Sequence, residues 1–470
     1  VTNLKEYRIQ DLINREMECS CGRDHFAAIE DLMIRKEAMA MLPDLLTKYS
    51  CKRLFLVADE NTYDAAGEKV EQILKEKGFE LARHIFRREK SLVPDEKAIG
   101  EFLLHLNRNT DMIVAVGAGT LNDLSKYISY QSNIPYVIVA TAPSMDGYSS
   151  FGAPLIVDNL KTTYQVAPPK AIIADVHILK RAPLSMMQAG LGDMLGKYTG
   201  LCDWELARII NGEYYCDQVA DLMRKSIEKC TSHVSGIQKR DETAIINLTE
   251  GLILSGIAMS FIGNARPASG SEHHLAHFWE MMFLFSGKEA VLHGTKVGIA
   301  TVAVIKLFHL LEERPEINFA AAVEKVSHFD REEWAQQMNR IYQAAAPSVI
   351  AMEKNAMKNS IEKHKERIKI IAKRWPEIIR TIHQMIPEVD TIEKILQEAG
   401  APINPMQVGI DADTFLNGLV YGKEVRNRYG ILQLLWDLGL LEELSQQVVD
   451  YFYREQLVKK NLSRAKSSKS

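Results

Sequence analysis

The stretch Asp111–Tyr127, "DMIVAVGAGTLNDLSKY", reads as a strand, a glycine turn and a helix in immediate succession. Met112–Val116 is a continuous apolar run rich in β-branched residues, the pattern of a strand covered on both faces. It runs into Gly117 and Gly119, and helical spacing starts near Thr120. Two glycines let a ligand approach the backbone closely. The free N–H groups and dipole of the new helix favour an anion, and a pyrophosphate is the natural occupant. Asn122 stands where the G-x-G-x-x-G fingerprint has its third glycine, so a plain tight strand-to-helix turn stays open as a reading.

Outward from this turn the same grammar repeats. "RLFLVAD" (Arg53–Asp59), "IPYVIVATAPS" (Ile134–Ser144) and "AIIADVHIL" (Ala171–Leu179) read as further strands, and an amphipathic segment surrounds residues 61–78. Strands alternating with helices predict crossover units and a mainly parallel sheet. Asp59, an acid at the end of a strand, is suited to an adenosine ribose. It lies upstream of the glycine turn rather than downstream, and "DENT" (Asp59–Thr62) also fits a helix cap. From about residue 183 the pattern turns helical, over 183–211, 217–237, 242–262, 271–285 and 295–313, with more helices beyond Pro347. The fold class is therefore α/β: a Rossmann-like parallel-sheet domain over 1–182, then an all-helical domain over 183–455. A basic, small-residue tail over 456–470 is expected to be disordered.

Composition sets outer limits. The chain has 470 residues, 46% of them hydrophobic and 25% charged, as in ordinary globular proteins of two domains. A net charge of -4 gives no reason to expect nucleic acid as a partner. Six scattered cysteines fit a reducing, cytoplasmic setting rather than a disulfide scaffold. No uninterrupted apolar run suggests a membrane span, and the N-terminus has no signal-peptide core.

A second stretch carries chemistry. "ASGSEHHLAHFWE" (Ala268–Glu280) puts His273, His274 and His277 within five positions, with His273 and His277 on one helix face. Downstream, "VLHGTKVGIA" sets His293 at a helix edge; upstream, "GLGDMLGKYTG" sets Asp193 in a glycine-flanked helix. Two imidazoles and a carboxylate from three helices can hold a divalent ion and leave a position for substrate. Singly, each residue also fits a hydrogen-bonded core position. "CSCGRDH" offers a second metal reading through Cys19, Cys21 and His25, but no further ligand pair follows at finger spacing, so a packed or solvent-facing loop is expected and a structural metal is the lesser alternative.

Together these motifs resemble the glycerol dehydrogenase and iron-containing alcohol dehydrogenase superfamily, and within it the sn-glycerol-1-phosphate dehydrogenase branch. "VAVGAGTLNDLSKY", "TAPSMDGYSS", "GLGDMLGKYTGLCDWELA", "RPASGSEHHLAHFWE" and "LHGTKVGIAT" occur in family order, and weaker likeness extends to "CSCGRDH" and to "RNRYGILQLLWDLGLL". The resemblance implies a dehydroquinate synthase-like architecture and a metal held by Asp193, His273 and His293. It implies an NAD or NADP pyrophosphate site at Gly117, Ala118, Gly119, Thr120 and Leu121, and turns Thr141 and Ser144 toward cofactor and Asp146 toward substrate. Ser150 is a further cofactor candidate, and His277 a proton relay. Some iron-dependent relatives have a ligand histidine where this chain has Lys197. A protonated lysine cannot coordinate, which favours zinc or nickel over iron.

The implied reaction reduces dihydroxyacetone phosphate to sn-glycerol 1-phosphate, in a homo-oligomer of two or more chains. Arg266, just before the ligand His273, suits a substrate phosphate. The competing reading is an arginine that fixes its loop through backbone carbonyls. Lys197 and Lys296 are other cations near the metal motifs. A polyol dehydrogenase for unphosphorylated glycerol, a cyclase of the related fold and a non-catalytic relative are the alternative functions.

Overall fold

A computed structural model describes residues 8–89, 91–157, 160–314 and 316–467, with side chains described for these except at 160 and 455–467. The six strands β1 (Asp31–Arg35), β2 (Arg53–Asp59), β3 (Glu80–Phe86), β4 (Met112–Gly117), β5 (Tyr136–Ala140) and β8 (Ala171–Asp175) form one sheet. Its order is β1-β8-β5-β4-β2-β3 and every pairing is parallel. A separate antiparallel pair, β6 (Gly152–Val157) and β7 (Leu160–Gln165), projects beyond it. β4 and β5 are buried along their whole length, as the apolar runs predict for central parallel strands.

Strand order explains the position of Asp59. From β2 the chain moves outward to β3, then returns across β2 to β4 and on to β5. The direction of winding therefore reverses between β2 and β4, and ligands of such sheets bind at the carboxyl ends of the strands flanking that reversal. Val57 pairs with Ala115, so Asp59 at the end of β2 comes level with Gly117 at the end of β4.

From Leu184 onward the described elements are helical. The 183–211 stretch is two helices, Leu184–Leu195 and Lys197–Asn211, meeting at Gly196. Glu242–Ile262 and Ser271–Phe285 run as the sequence predicts, and the next helix spans His293–Glu312. Glu242–Ile262 and His293–Glu312 are long and apolar enough to cross a membrane, but 78% of each apolar window is buried inside the protein. They are the central helices of the core, and their apolar surface is already covered.

The N-terminal segment differs from its expected place with the sheet. Ile9, Leu12 and Met17 are buried, and the His25 ring bonds the Phe261 carbonyl at the end of the Glu242–Ile262 helix at 3.1 Å. The last helix spans Leu441–Ser467; the tail expected at 456–470 lies outside the residues whose side chains are described.

Candidate active site

Close backbone contact brings the site together. A Cβ at Gly192 would collide with the Gly294 carbonyl, and one at Gly294 with the Ala189 carbonyl. Only glycines let the Leu184–Leu195 and His293–Glu312 helices touch backbone to backbone, and that contact sets Asp193 beside His293. The Ser271–Phe285 helix adds His273. Ligand atoms of Asp193, His273 and His293 lie within 4.8 Å of one another.

Carboxylates orient both imidazoles. Nδ1 of His273 meets Glu272 Oε1 at 2.7 Å, and Nδ1 of His293 meets Glu280 Oε1 at 2.8 Å. Each ring is left with Nε2 as its free donor atom; that of His273 is 3.5 Å from Asp193 Oδ1. This is the usual support of a metal-binding histidine. Glu272 is itself held by the Gly270 N–H and the Thr199 hydroxyl. The donor set of one carboxylate and two Nε2 atoms fits a divalent ion with a coordination position to spare.

His277, Glu280 and His293 form an overlapping group. Glu280 there acts as an organiser. It contacts Nδ1 of both histidines, Lys161 from β7 at 2.7 Å and Lys296 at 3.3 Å. Burial would raise its pKa, but Lys161, Lys296 and His293 hold it well below the usual carboxylate range. Burial drives His277 well below the usual imidazole value, and the hydrogen bond it donates to Glu280 only partly opposes this. His277 is therefore neutral, and its Nε2 lies 3.4 Å from Arg426.

Lys197 stands beside Asp193, on the same carboxylate oxygen that His273 faces. Its fully buried ammonium bridges Asp193 at 2.7 Å and Asp146 at 2.8 Å. Burial would lower its pKa, but the two carboxylates more than offset that and keep it charged. Asp146 also donates its N–H to Asp193 Oδ2 at 3.1 Å and accepts from the Ser255 hydroxyl at 2.8 Å. The "TAPSMDGYSS" turn is thus tied directly to Asp193.

The glycine turn has the anticipated form. A Cβ at Gly117 would strike Leu121, so packing alone requires that glycine. At Gly119 a Cβ would meet only Met145, at 3.5 Å, which is ordinary contact. No packing demand explains Gly119 at the start of the Gly119–Ser132 helix, and its open position leaves the backbone there approachable. Thr120 and Leu121 continue that first turn after Ala118, and Thr141 donates its N–H to the Gly117 carbonyl at 3.1 Å. Thr141 and Ser144 are buried at the end of β5. Ser150 faces Lys126, whose ammonium also bonds the Gly147 and Gly152 carbonyls, a structural engagement. Asp59 caps the following helix, accepting from Thr62 N–H at 2.8 Å through Oδ1. The cap reading therefore holds for one carboxylate oxygen, and the ribose reading rests on the other.

Arg266, expected at the substrate phosphate, is already paired within the protein. Its Nε reaches Glu213 at 2.6 Å, Nη2 pairs with the same carboxylate, and Nη1 donates to the Tyr429 carbonyl at 2.8 Å. A buried guanidinium needs such partners; here they are chiefly the Glu213 carboxylate, with one backbone carbonyl. Lys296 is likewise committed, to Glu280 and the Val291 carbonyl. The cations that sequence reasoning missed are Arg426 and Arg428. Arg428 is pushed down to about 9 by burial and by the neighbouring Arg426 and Arg266. Its Nη1 reaches the Ser269 carbonyl at 3.4 Å. Beside these cations two buried polar atoms, Ser269 Oγ and His274 Nε2, lack a partner among the described residues. Burial, then Arg426 and Arg428, hold His274 well below the usual imidazole value.

Comparison with known proteins agrees with this architecture. A family model described as iron-containing alcohol dehydrogenase matches residues 33–183. A glycerol dehydrogenase structure from Schizosaccharomyces pombe superposes with a TM-score of 0.58 at 15% identity, covering 90% of this chain and 91% of the other. A probable glycerol dehydrogenase from Sinorhizobium meliloti gives 0.59 at 14% identity, over 91% and 98%. The fold is that of the iron-containing alcohol dehydrogenase superfamily. A glycerol-1-phosphate dehydrogenase (NAD(P)+) of Halalkalibacterium halodurans is 34% identical over 89% of this chain and 95% of its own. One from Bacillus subtilis is 37% identical over 62% and 74%. The chain belongs to the glycerol-1-phosphate dehydrogenase family of oxidoreductases.

Proposed function

We propose that this chain interconverts dihydroxyacetone phosphate and sn-glycerol 1-phosphate with NAD(H) or NADP(H), in the cleft between the sheet and the helical half. One observation carries the reading: beside the Asp193, His273 and His293 group lies a cationic patch with unsatisfied polar atoms. Among the described residues Arg426 and Arg428 make no close ion pair with a carboxylate, and Ser269 Oγ and His274 Nε2 are buried without a hydrogen bond. Leaving such groups unpaired is costly, and a phosphate dianion would satisfy all of them.

Bound at the glycine turn, the dinucleotide would supply hydride for the carbonyl carbon, and the carbonyl oxygen would take up a proton. A divalent ion held by Asp193, His273 and His293, zinc or nickel rather than iron, would polarise that carbonyl as a Lewis acid. Asp146, fixed by Lys197 and Ser255, orients the substrate hydroxyl. His277, neutral and held by Glu280, is the candidate relay for the proton. Gly117, Ala118, Gly119, Thr120 and Leu121 bind the pyrophosphate, with Thr141, Ser144, Ser150 and Asp59 completing the dinucleotide site. Six free cysteines support a reducing cytoplasmic setting, and a homo-oligomer is part of the same reading.

The test is steady-state kinetics of the metal-supplemented protein on dihydroxyacetone phosphate, dihydroxyacetone, both enantiomers of glycerol phosphate, and glycerol. Preference for the phosphorylated ketone and for sn-glycerol 1-phosphate supports the reading. Preference for dihydroxyacetone and glycerol would replace it with a polyol dehydrogenase.

A further inference from the structure

Far along the chain from the dehydrogenase motifs, the stretch Met17–His25, "MECSCGRDH", folds back on itself. Met17 and His25 exchange two backbone hydrogen bonds of 3.0 Å, and the Gly22 N–H bonds the Cys19 carbonyl at 3.1 Å. Gly22 has φ of +82°, the left-handed conformation that makes glycine the natural residue in such a tight return. The return gathers Cys19, Cys21 and His25 on one side. Cys216, at the start of the Asp217–Thr231 helix, closes the group from the helical half.

The spacings are those of a coordination shell. Cys19 Sγ lies 3.7 Å from Cys216 Sγ, and His25 Nε2 lies 3.5 Å from Cys21 Sγ and 3.4 Å from Cys216 Sγ. All four ligand atoms fall within 4.8 Å of one another. Zinc bonds of about 2.3 Å to sulfur and about 2.0–2.1 Å to nitrogen, set at tetrahedral angles, give edges of roughly 3.8 Å between sulfurs and roughly 3.6 Å from sulfur to nitrogen. A disulfide needs sulfurs about 2.05 Å apart, and all six cysteines are free.

The surroundings are built as a metal site's are. His25 is buried, and its Nδ1 lies 3.1 Å from the Phe261 carbonyl, which fixes the proton on Nδ1 and turns the Nε2 lone pair toward the thiols. The Tyr214 hydroxyl donates to Cys21 Sγ at 3.0 Å, as it would to a thiolate. The Arg23 guanidinium covers the Tyr214 ring at 3.6 Å, a cation beside a group that would carry net negative charge.

We infer that Cys19, Cys21, His25 and Cys216 form a structural zinc site, sharing no residue with the dehydrogenase centre. Three thiols lose their protons to solvent and bind as thiolates, with a neutral imidazole as the fourth ligand. All positions are then taken by protein, so the ion clamps rather than catalyses. It ties the N-terminal segment to the loop that carries Glu213, the partner of Arg266, and so to the loop before His273.

The test uses full-length protein produced with zinc. Asp193→Asn, which disables the three-ligand centre, should retain one zinc per chain through exhaustive dialysis against EDTA, released on titration with a thiol-blocking mercurial. Asp193→Asn/Cys216→Ser should lose that equivalent. Cobalt-substituted Asp193→Asn should show thiolate-to-cobalt charge-transfer absorption and strong tetrahedral ligand-field bands. In case the Cys216 variant does not fold, His25→Cys provides a four-thiolate site that should keep the metal and shift the cobalt spectrum. An Asp193→Asn protein that folds without zinc and gives no thiolate–cobalt band would overturn the inference. So would a Cys19–Cys216 disulfide in protein purified under non-oxidising conditions.

Discussion

Glu280 contacts four residues that define the centre, namely His277, His293, Lys161 and Lys296. Glu280→Gln keeps the shape but loses the charge that orients two imidazoles and neutralises two ammonium groups. Metal affinity or activity should fall by about 10- to 100-fold, the usual effect of removing such a support, measured by metal titration and kcat/KM. His273→Ala should lose metal at this centre altogether. His274→Ala should keep it, with any loss confined to the phosphorylated substrate. Metal loss in His274→Ala but not in His273→Ala would reverse the ligand assignment. At this scale the sequence was readable in part. Glu280 stands three residues after His277 and ends the quoted histidine stretch, so helical spacing offered a signal for it. Lys161 offered none, because β7 reaches Glu280 only through the tertiary fold. Cys216, 191 positions from His25, was hidden for the same reason.

Elements were legible where burial imposes a pattern. Central strands β2, β4, β5 and β8 show as apolar runs because both faces are covered. Edge strands β1 and β3 are half exposed, so their polar residues broke the run and they went unseen. Two predictions belong here. Asp59→Gly removes a cap, which costs only a few tenths of a kcal/mol when glycine is the replacement. The same change should narrow the preference for NADH over NADPH, since it removes a carboxylate that repels a 2′-phosphate. An unchanged preference would leave Asp59 as a cap alone. Glycine contacts give the second. Gly192→Ala forces two helix backbones apart and should destabilise the fold by about 1–3 kcal/mol, the range for overpacking, with weaker metal binding. Gly119→Ala should leave the melting temperature unchanged while raising KM for the dinucleotide. Equal destabilisation by both would show that Gly119 serves packing rather than the cofactor.

Over the whole molecule, the C-terminal "RNRYG" segment returns to the centre and divides labour among three arginines. Arg266 joins the Glu213 loop, the run before His273 and the Tyr429 backbone into one unit. Arg426 and Arg428 have few hydrogen-bond partners among the described residues, the His277 ring and the Ser269 carbonyl. Removing Arg266 leaves Glu213 and a carbonyl unpaired, and breaking a buried pair in this way costs about 3–5 kcal/mol; partial exposure of Glu213 places the expected loss at or below the lower end. Arg266→Ala should therefore lower thermal stability and reduce kcat/KM for dihydroxyacetone phosphate and dihydroxyacetone alike. Arg428→Ala should behave differently. It deletes a charge-assisted hydrogen bond worth roughly 1.5–3 kcal/mol, so kcat/KM for the phosphorylated ketone should fall about ten- to a hundredfold. The slow reaction with dihydroxyacetone and the melting temperature should hardly move, because among the described residues the Arg428 side chain bonds only the Ser269 carbonyl. Comparing both variants on both substrates separates loop support from phosphate recognition. A selective loss in Arg266→Ala, with none in Arg428→Ala, would return the phosphate to Arg266.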